Sequence, residues 1–343
     1  LINGGVHEAL HHDGTPADPG FKRLRVLARQ IYCFSHAKLL GWNGNSDNVL
    51  HHLFDTLTGT GWHADGGWIH TFNTDGSVRD GQRDTYDQFF VLFALAWLWR
   101  ATNWPEAKEW AERTIAYIDG NLADTENGGF FESSQRTDYR RANPHMHALE
   151  AFLAWYEATG ENAYLERAER MVELFRAHFF DPETWSVTEY FSQDWSPATD
   201  REAQIEPGHH YEWIWLLLRY AKMSGDTQVR DYCRKLYATS HAFGHARGTD
   251  AVCDRMSPDG SNMSGTSRLW PQTEALKAGL RARADGLPGD ETLFIRMLDV
   301  IFNRYLVTPV KGGWFDQLDA RGRVISADMP TSTFYHVFCA LVE

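Results

Sequence analysis

The stretch Arg140-Arg-Ala-Asn-Pro-His-Met-His-Ala-Leu-Glu150 decides how this chain is read. Pro144 suits a first helical position, where its missing N–H costs no hydrogen bond. Ala148, Leu149, Ala151, Phe152 and Leu153 continue an apolar pattern behind it, and His147 and Glu150 stand three apart, so they share a helix face. The same design recurs downstream. Glu206-Pro-Gly-His-His-Tyr-Glu212 opens another apolar helix, with His209 and Glu212 again three apart; Trp270-Pro-Gln-Thr-Glu274 opens a third and Met329-Pro-Thr-Ser-Thr-Phe-Tyr-His336 a fourth. Four helices whose first turns carry His, Glu or Gln predict one shared mouth lined with titratable groups.

Around these helices runs a repeat. Paired glycines followed by an apolar or aromatic residue occur at Gly4-Gly5-Val6, Gly66-Gly67-Trp68, Gly128-Gly129-Phe130 and Gly312-Gly313-Trp314, at steps of 62, 62 and 184 residues. The last step is three times about 61, so two unmarked units are expected, with loops at Asp181–Val187 and Asp250–Asp254. Turn dipeptides follow several of these loops, at Asp13-Gly14, Asp75-Gly76 and Asp259-Gly260. Between loops the patterns predict helix pairs: Phe21–Leu40 with Asp47–Leu57, Gln82–Arg100 with Pro105–Leu122, and Pro144–Thr159 with Ala163–His178. Pro207–Met223 pairs with Asp226–Phe243 and Leu269–Ala284 with Asp290–Tyr305, and Thr331–Glu343 closes the chain. A closed ring of six hairpins needs one more helix, expected before Gly4. The predicted architecture is an all-α (α/α)6 barrel forming a single domain over residues 1–343, with an α-solenoid as the competing arrangement of helix pairs.

Composition narrows the partners. A hydrophobic content of 43% supports a substantial core, and a net charge of −13 argues against nucleic acid or an anionic membrane, both of which repel a negative surface. No apolar run approaches the roughly 20 residues of a membrane span. The four cysteines are scattered without paired spacing, which fits a thiol-reducing, cytoplasmic setting. Fourteen tryptophans are many; most belong in a core, while a few at a pocket rim would suit a sugar, whose C–H faces stack on flat rings.

The candidate proton carriers are His145, His147, His209, His210 and His336, because imidazole titrates near neutrality. A single helical histidine is more often a hydrogen-bonded structural residue; three inner helices carrying one at comparable depth shift the balance towards function for at least two. Glu150 and Glu212 are expected to orient the neighbouring imidazoles, and Glu274, with no histidine beside it, to bind hydroxyls or act alone. No metal is expected: His209 and His210 are adjacent and splay apart, His145 and His147 are two apart, and no His-Glu-x-x-His occurs. A Gly-x-Ser-x-Gly elbow and a phosphate-cradling loop are also missing from the sequence. Arg29 lies in a mostly apolar helical run, where a charge is costly unless paired. It reads either as a salt bridge to a neighbouring helix or as a fixed cation for an oxyanion developing on a substrate.

These residues carry a resemblance. Ala28-Arg29-Gln30, Arg83-Asp84-Thr-Tyr-Asp-Gln88, Asn143-Pro-His-Met-His-Ala-Leu-Glu150, Pro207-Gly-His-His-Tyr-Glu-Trp213, Trp270-Pro-Gln-Thr-Glu274 and Ser332-Thr-Phe-Tyr-His336 resemble the N-acylglucosamine 2-epimerase superfamily, most of all its mannose isomerase branch. The resemblance implies an (α/α)6 barrel and cofactor-free, metal-independent proton transfer at C2 of an aldose. It gives catalytic roles to His336 as base, His209 in ring opening and proton exchange at oxygen, and Arg29 as support for the enediolate. His147, Glu212, Glu274, Tyr86, Trp270 and Asn143 would hold the sugar. The leading expectation is an aldose–ketose isomerase acting on a monosaccharide, mannose to fructose, as a monomer or homodimer. A 2-epimerase of a free, N-acylated or β-1,4-linked sugar, a glycoside hydrolase on the same barrel and a non-catalytic helical-repeat binder are the alternatives.

Overall fold

Helix α3 (Thr85–Thr102) shows how the sequence builds the interior. Its run Phe89 to Leu98 is apolar on every side, and the whole run is buried, as expected of a helix with neighbours all round. Helix α8 (Val229–Phe243) is the opposite type. It buries Val229, Cys233, Leu236, Tyr237 and Ser240, one stripe at helical spacing, and turns its charges outward. A computed structural model describes residues 4–198, 205–246, 248–261, 263–287 and 292–343.

The chain divides into two compact units, one of Leu1–Ala9, Ala17–Met171 and Gln193–Trp195, the other of Leu10–Pro16, Val172–Ser192 and Ser196–Glu343. In the first unit α3 packs between α1 (Leu24–Leu39) and α5 (Ala142–Thr159), while α2 (Ser46–Thr60) lies on α1 and α4 (Pro105–Tyr117) on α3. In the second, α9 (Leu269–Ala284) packs between α7 (Pro207–Ser224) and α11 (Thr333–Val342), with α8 on α7 and α10 (Leu293–Val300) on α9. Helix α6 (Asn162–Leu174) carries the chain from one unit to the next. Each helix expected after Gly4 is present, with ends moved by a few residues; the helix expected before Gly4 and Asp290, the expected start of α10, lie outside the described residues. None of the described helices is long and apolar enough to cross a membrane.

Two expectations change in detail. Pro144 is not the first residue of α5, which starts at Ala142 after an extended Arg141. Pro271 likewise stands third in α9. The first four N–H groups of a helix have no intrahelical partner, so proline is tolerated throughout the first turn. In addition α4, α6 and α10 do not run as α-helix to their expected ends. Each closes in a five-residue π turn, at Ile118–Leu122, Phe175–Phe179 and Ile301–Tyr305, and the same wide turn in three repeats marks a common exit into the loops.

The glycine pairs have a conformational cause. Gly66 and Gly67 both have positive φ, as do Gly128 and Gly129, and a Cβ on Gly67 would stand 2.5 Å from the Tyr117 ring. Behind four of the loops a side chain of the following helix holds the backbone. The Gln88 amide accepts from Trp68 N–H at 2.8 Å and donates to Trp68 C=O at 2.9 Å; Gln272 does the same to Val252, at 2.7 and 2.8 Å. At the matching places His145 Nε2 accepts from Phe130 N–H at 2.9 Å and His210 Nε2 from Val187 N–H at 3.0 Å. These four clamps fall 57, 65 and 62 residues apart, so they are the repeat seen in side chains.

His145 and His210 are therefore loop clamps, not proton carriers. Nδ1 of His145 donates to Arg141 C=O while Nε2 accepts, which is the neutral imidazole, and a second proton would break the clamp. Burial pushes both rings down to about 3. Unfolded, they titrate near 6.5, so below that pH the unfolded chain binds more protons and stability falls on acidification, by about 2 kcal/mol per histidine at pH 5. Replacing both by Gln, the residue used by α3 and α9, should keep the clamps and narrow the loss of melting temperature between pH 7 and pH 5.

Candidate active site

In the second unit the first turns of α7, α9 and α11 bring together most of the chemistry. His209, near the start of α7, packs tilted against Trp270 of α9 at 5.2 Å, and the same indole meets His336 of α11 at 5.6 Å. Both imidazoles are buried, and Trp270 is half-buried. Adjacent His209 and His210 do splay apart: one ring faces Trp270, the other the loop at Val187.

The two histidines are dressed differently. His209 Nδ1 donates to Glu189 at 2.9 Å, and its Nε2 lies 3.9 Å from Glu206, the residue that precedes α7. Burial alone would lower this ring, but Glu189 and then Glu206 outweigh it and hold His209 up at about 10, an imidazolium at neutral pH. His336 Nδ1 donates to Glu274 Oε1 at 2.8 Å. A carboxylate only accepts, so Nδ1 carries a proton and Nε2 is the atom left to the chemistry of the site.

Glu274 is thus not alone, as its sequence neighbourhood suggested. It orients His336 from across α9 and α11, and its other oxygen stands 2.6 Å from Lys277. Glu212 acts on His209 through its charge, which helps to raise the ring. It shares a face with His209 in sequence, yet the carboxylate bonded to that ring is Glu189, while Glu212 turns towards Glu274 and His336. Glu212, Glu274 and His336 each offer an atom within 4.8 Å of the others, a set with the size of a metal site. Lys277 beside Glu274 already supplies a positive charge there.

The first unit holds the remaining predicted residues. Arg29 Nη2 donates to Tyr86 Oη at 2.8 Å and lies 4.3 Å over Phe90. Tyr86 meets the His147 ring edge-on at 4.8 Å, and His147 Nδ1 donates to Glu150 at 3.0 Å, the pairing their spacing predicted. Asn143 is half-buried in the first turn of α5. Asp84 caps α3, and Asp87 bonds His70 at 2.5 Å and pairs with Arg25 at 3.5 Å. Burial, and next the Asp87 charge, raise Asp84 to about 6.

Residues 4–340 match the family model described as N-acylglucosamine 2-epimerase (GlcNAc 2-epimerase). The chain belongs to that family. Its relatives include a mannose-6-phosphate isomerase of Rhizobium meliloti, 34% identical over 99% of this chain and 89% of the relative. A D-mannose isomerase of Thermobifida fusca is 28% identical over 74% of this chain and 66% of the relative. Among solved structures, a D-mannose isomerase superposes with a TM-score of 0.90 at 22% identity, covering 100% of this chain and 92% of the other. The fold is the (α/α)6 barrel expected from the repeat, and this member of the 2-epimerase family is an enzyme of sugar isomerisation or epimerisation.

Sequence reasoning missed Glu189 and Lys277. Glu189 lies between the short strands Ser186–Val187 and Tyr190–Phe191, and nothing in its neighbourhood ties it to a histidine 20 residues on. Lys277 could have been found. It is a cation in the middle of an inner helix, one turn after Glu274, and the logic applied to Arg29 holds for it too.

Proposed function

We propose that this protein is a metal-independent aldose–ketose isomerase, with mannose and fructose as its first pair of sugars. The observation that carries the reading is two buried imidazoles on one indole, each oriented by a glutamate: His209, held as a cation, by Glu189 and His336 by Glu274. His336 Nε2 removes the C2 proton of the open-chain aldose, giving a cis-enediolate, and returns a proton to C1. His209, as imidazolium, opens the ring and exchanges protons at the oxygens. A C2–H is a very weak acid, so the enediolate also needs electrostatic support, the part assigned to Arg29. Trp270 gives the sugar a flat face, and His147, Glu212, Glu274, Tyr86 and Asn143 hold its hydroxyls.

The substrate is an unphosphorylated sugar, although the Rhizobium meliloti relative is named for a phosphorylated one. In the second unit Arg268 is held by Asp254 and Glu206, and Lys277 by Glu274, which leaves neither for a phosphate dianion. A second reading, 2-epimerisation, is favoured by the name of the family. That reaction needs a base on one face of C2 and a proton donor on the other, a role the His209 imidazolium is able to fill, so the products decide between the two. Incubation with chelator and mannose, fructose, glucose, N-acetylglucosamine or mannose 6-phosphate, followed by NMR, tests the choice. The expected product from mannose is fructose. An epimer formed without ketose would favour the second reading, and no conversion of any sugar would contradict both.

A further inference from the structure

Two residues beyond the loop backbone that the clamps hold, a second repeat runs through the chain. Glu8, His70, Glu132, Glu189, Asp254 and Asp316 fall 62, 62, 57, 65 and 62 residues apart. Each bonds the start of the inner helix that follows. Glu8 accepts from the backbone and guanidinium of Arg23 before α1, and Glu132 and Asp254 do the same for Arg141 before α5 and Arg268 before α9. Five of the six are acids. The sixth, His70, instead bonds a carboxylate, that of Asp87. Asp87 is the third residue of α3, as His209 is of α7. His70–Asp87 and Glu189–His209 are therefore one pair of positions with the acid and the imidazole exchanged.

Tying a loop to a helix needs only one ring nitrogen. His70 Nδ1 donates to Asp87 Oδ2, while its Nε2 has no hydrogen-bond partner among the described residues, and the side chain keeps 17% of its surface exposed. Asp87 is fully buried, and its other oxygen lies 3.5 Å from Arg25 Nε. A carboxylate fixed in this way sets the direction of the ring it holds. Burial alone would lower His70, but the Asp87 bond and charge, and then the Asp84 charge, outweigh it and raise the ring, which favours a second proton on Nε2. The neighbours are the first-unit residues already assigned to the sugar. Arg25 lies 5.2 Å over the Tyr86 ring, and Tyr86 Oη accepts from Arg29, one turn along α1 from Arg25. We propose that His70 is a further sugar-binding residue, whose Nε2 hydrogen-bonds a substrate hydroxyl beside Arg29 and Tyr86, with Asp87 as its positioning residue.

This role rests on the sugar reading, and the two claims are separable by experiment. D-Mannitol carries the hydroxyls of mannose without the carbonyl, so it can bind but not react. In NMR of the imidazole C–H groups of the intact chain, the His70 signal, identified by its absence from the His70 variants, should shift saturably as mannitol is added. Kinetics then distinguish a sugar contact from a loop tie. His70→Asn keeps a donor for Asp87 in place of Nδ1 and removes Nε2. Its KM for mannose should rise about tenfold or more, with the melting temperature unchanged. His70→Gln places its amide where Nε2 stands and gives up the bond to Asp87, so it should melt lower yet hold KM nearer the wild-type value. Should a variant not fold, the wild-type titration decides. A His70 signal that stays still while those of His209 and His336 move, or a folded His70→Asn that keeps the wild-type KM, overturns the proposal. Mannitol bound at His70 without turnover of any sugar would sink the isomerase reading alone, and neither binding nor turnover would sink both.

Discussion

Replacing His336 by Asn is expected to lower kcat for aldose–ketose interconversion by about 10³-fold, within the range that a positioned acid–base group contributes. The reason is specific to the atom. An Asn amide can still donate to Glu274, as His336 Nδ1 does at 2.8 Å, so the link between α9 and α11 survives. What disappears is Nε2 and its lone pair. KM should therefore change little, and the thermal unfolding temperature should stay close to that of the wild type. A purely structural His336 would give the reverse pattern, a lower melting temperature with kcat nearly intact. Initial rates and a melting curve on the same preparation distinguish the two.

The second large effect belongs to Glu189, a residue no motif pointed to. His209 sits at about 10 because the Glu189 and Glu206 charges overcome burial. Glu189→Gln keeps the hydrogen bond to Nδ1 and removes the nearer charge. Burial then gains ground, and His209 titrates lower. Because the imidazolium is the working form, activity falls on the alkaline side where His209 loses its proton. The upper limb of kcat/KM, near pH 10 in the wild type, should move down by about two units in the variant. Stability should follow the same sign. A histidine raised above its unfolded value of about 6.5 stabilises the fold fully below that pH, and the benefit fades as pH rises through about 10. The variant should therefore melt lower than the wild type at pH 7, and by a smaller margin at pH 11.

The barrel was legible in the sequence because its repeat leaves marks that backbone physics requires. Gly66-Gly67 and Gly128-Gly129 take left-handed conformations that other residues resist, and the Asp13, Asp75 and Asp259 turns all close on the second residue after the aspartate. Helix interiors were legible for the same kind of reason: α9 begins and ends where its apolar pattern does. The π turns closing α4, α6 and α10 were not, since widening the last turn by one residue leaves the apolar pattern running on.

In the site, local pairs were readable and distant ones were not. Three-residue spacing on one helix gave His147–Glu150 correctly. For Glu212 and His209 the same rule found a charge that raises the ring, but not the hydrogen bond from Glu189, because spacing says which side chains are able to meet and not which others join them. The pairs that matter most for the proposed chemistry, His336 with Glu274 and His209 with Glu189, join residues 62 and 20 positions apart. His145 and His210 show the remaining difficulty. Their sequence context matches that of His147 and His209, and only the loop amide on each ring reveals a structural task.

Mannose labelled with deuterium at C2, converted in ordinary water and read by NMR, reaches the claim that a histidine carries the migrating hydrogen. A proton held on His336 between C2 and C1 has time to exchange, so the fructose formed should have lost at least part of its label to solvent. Fructose that keeps the whole label at C1, the mark of a direct hydride shift, would contradict the account.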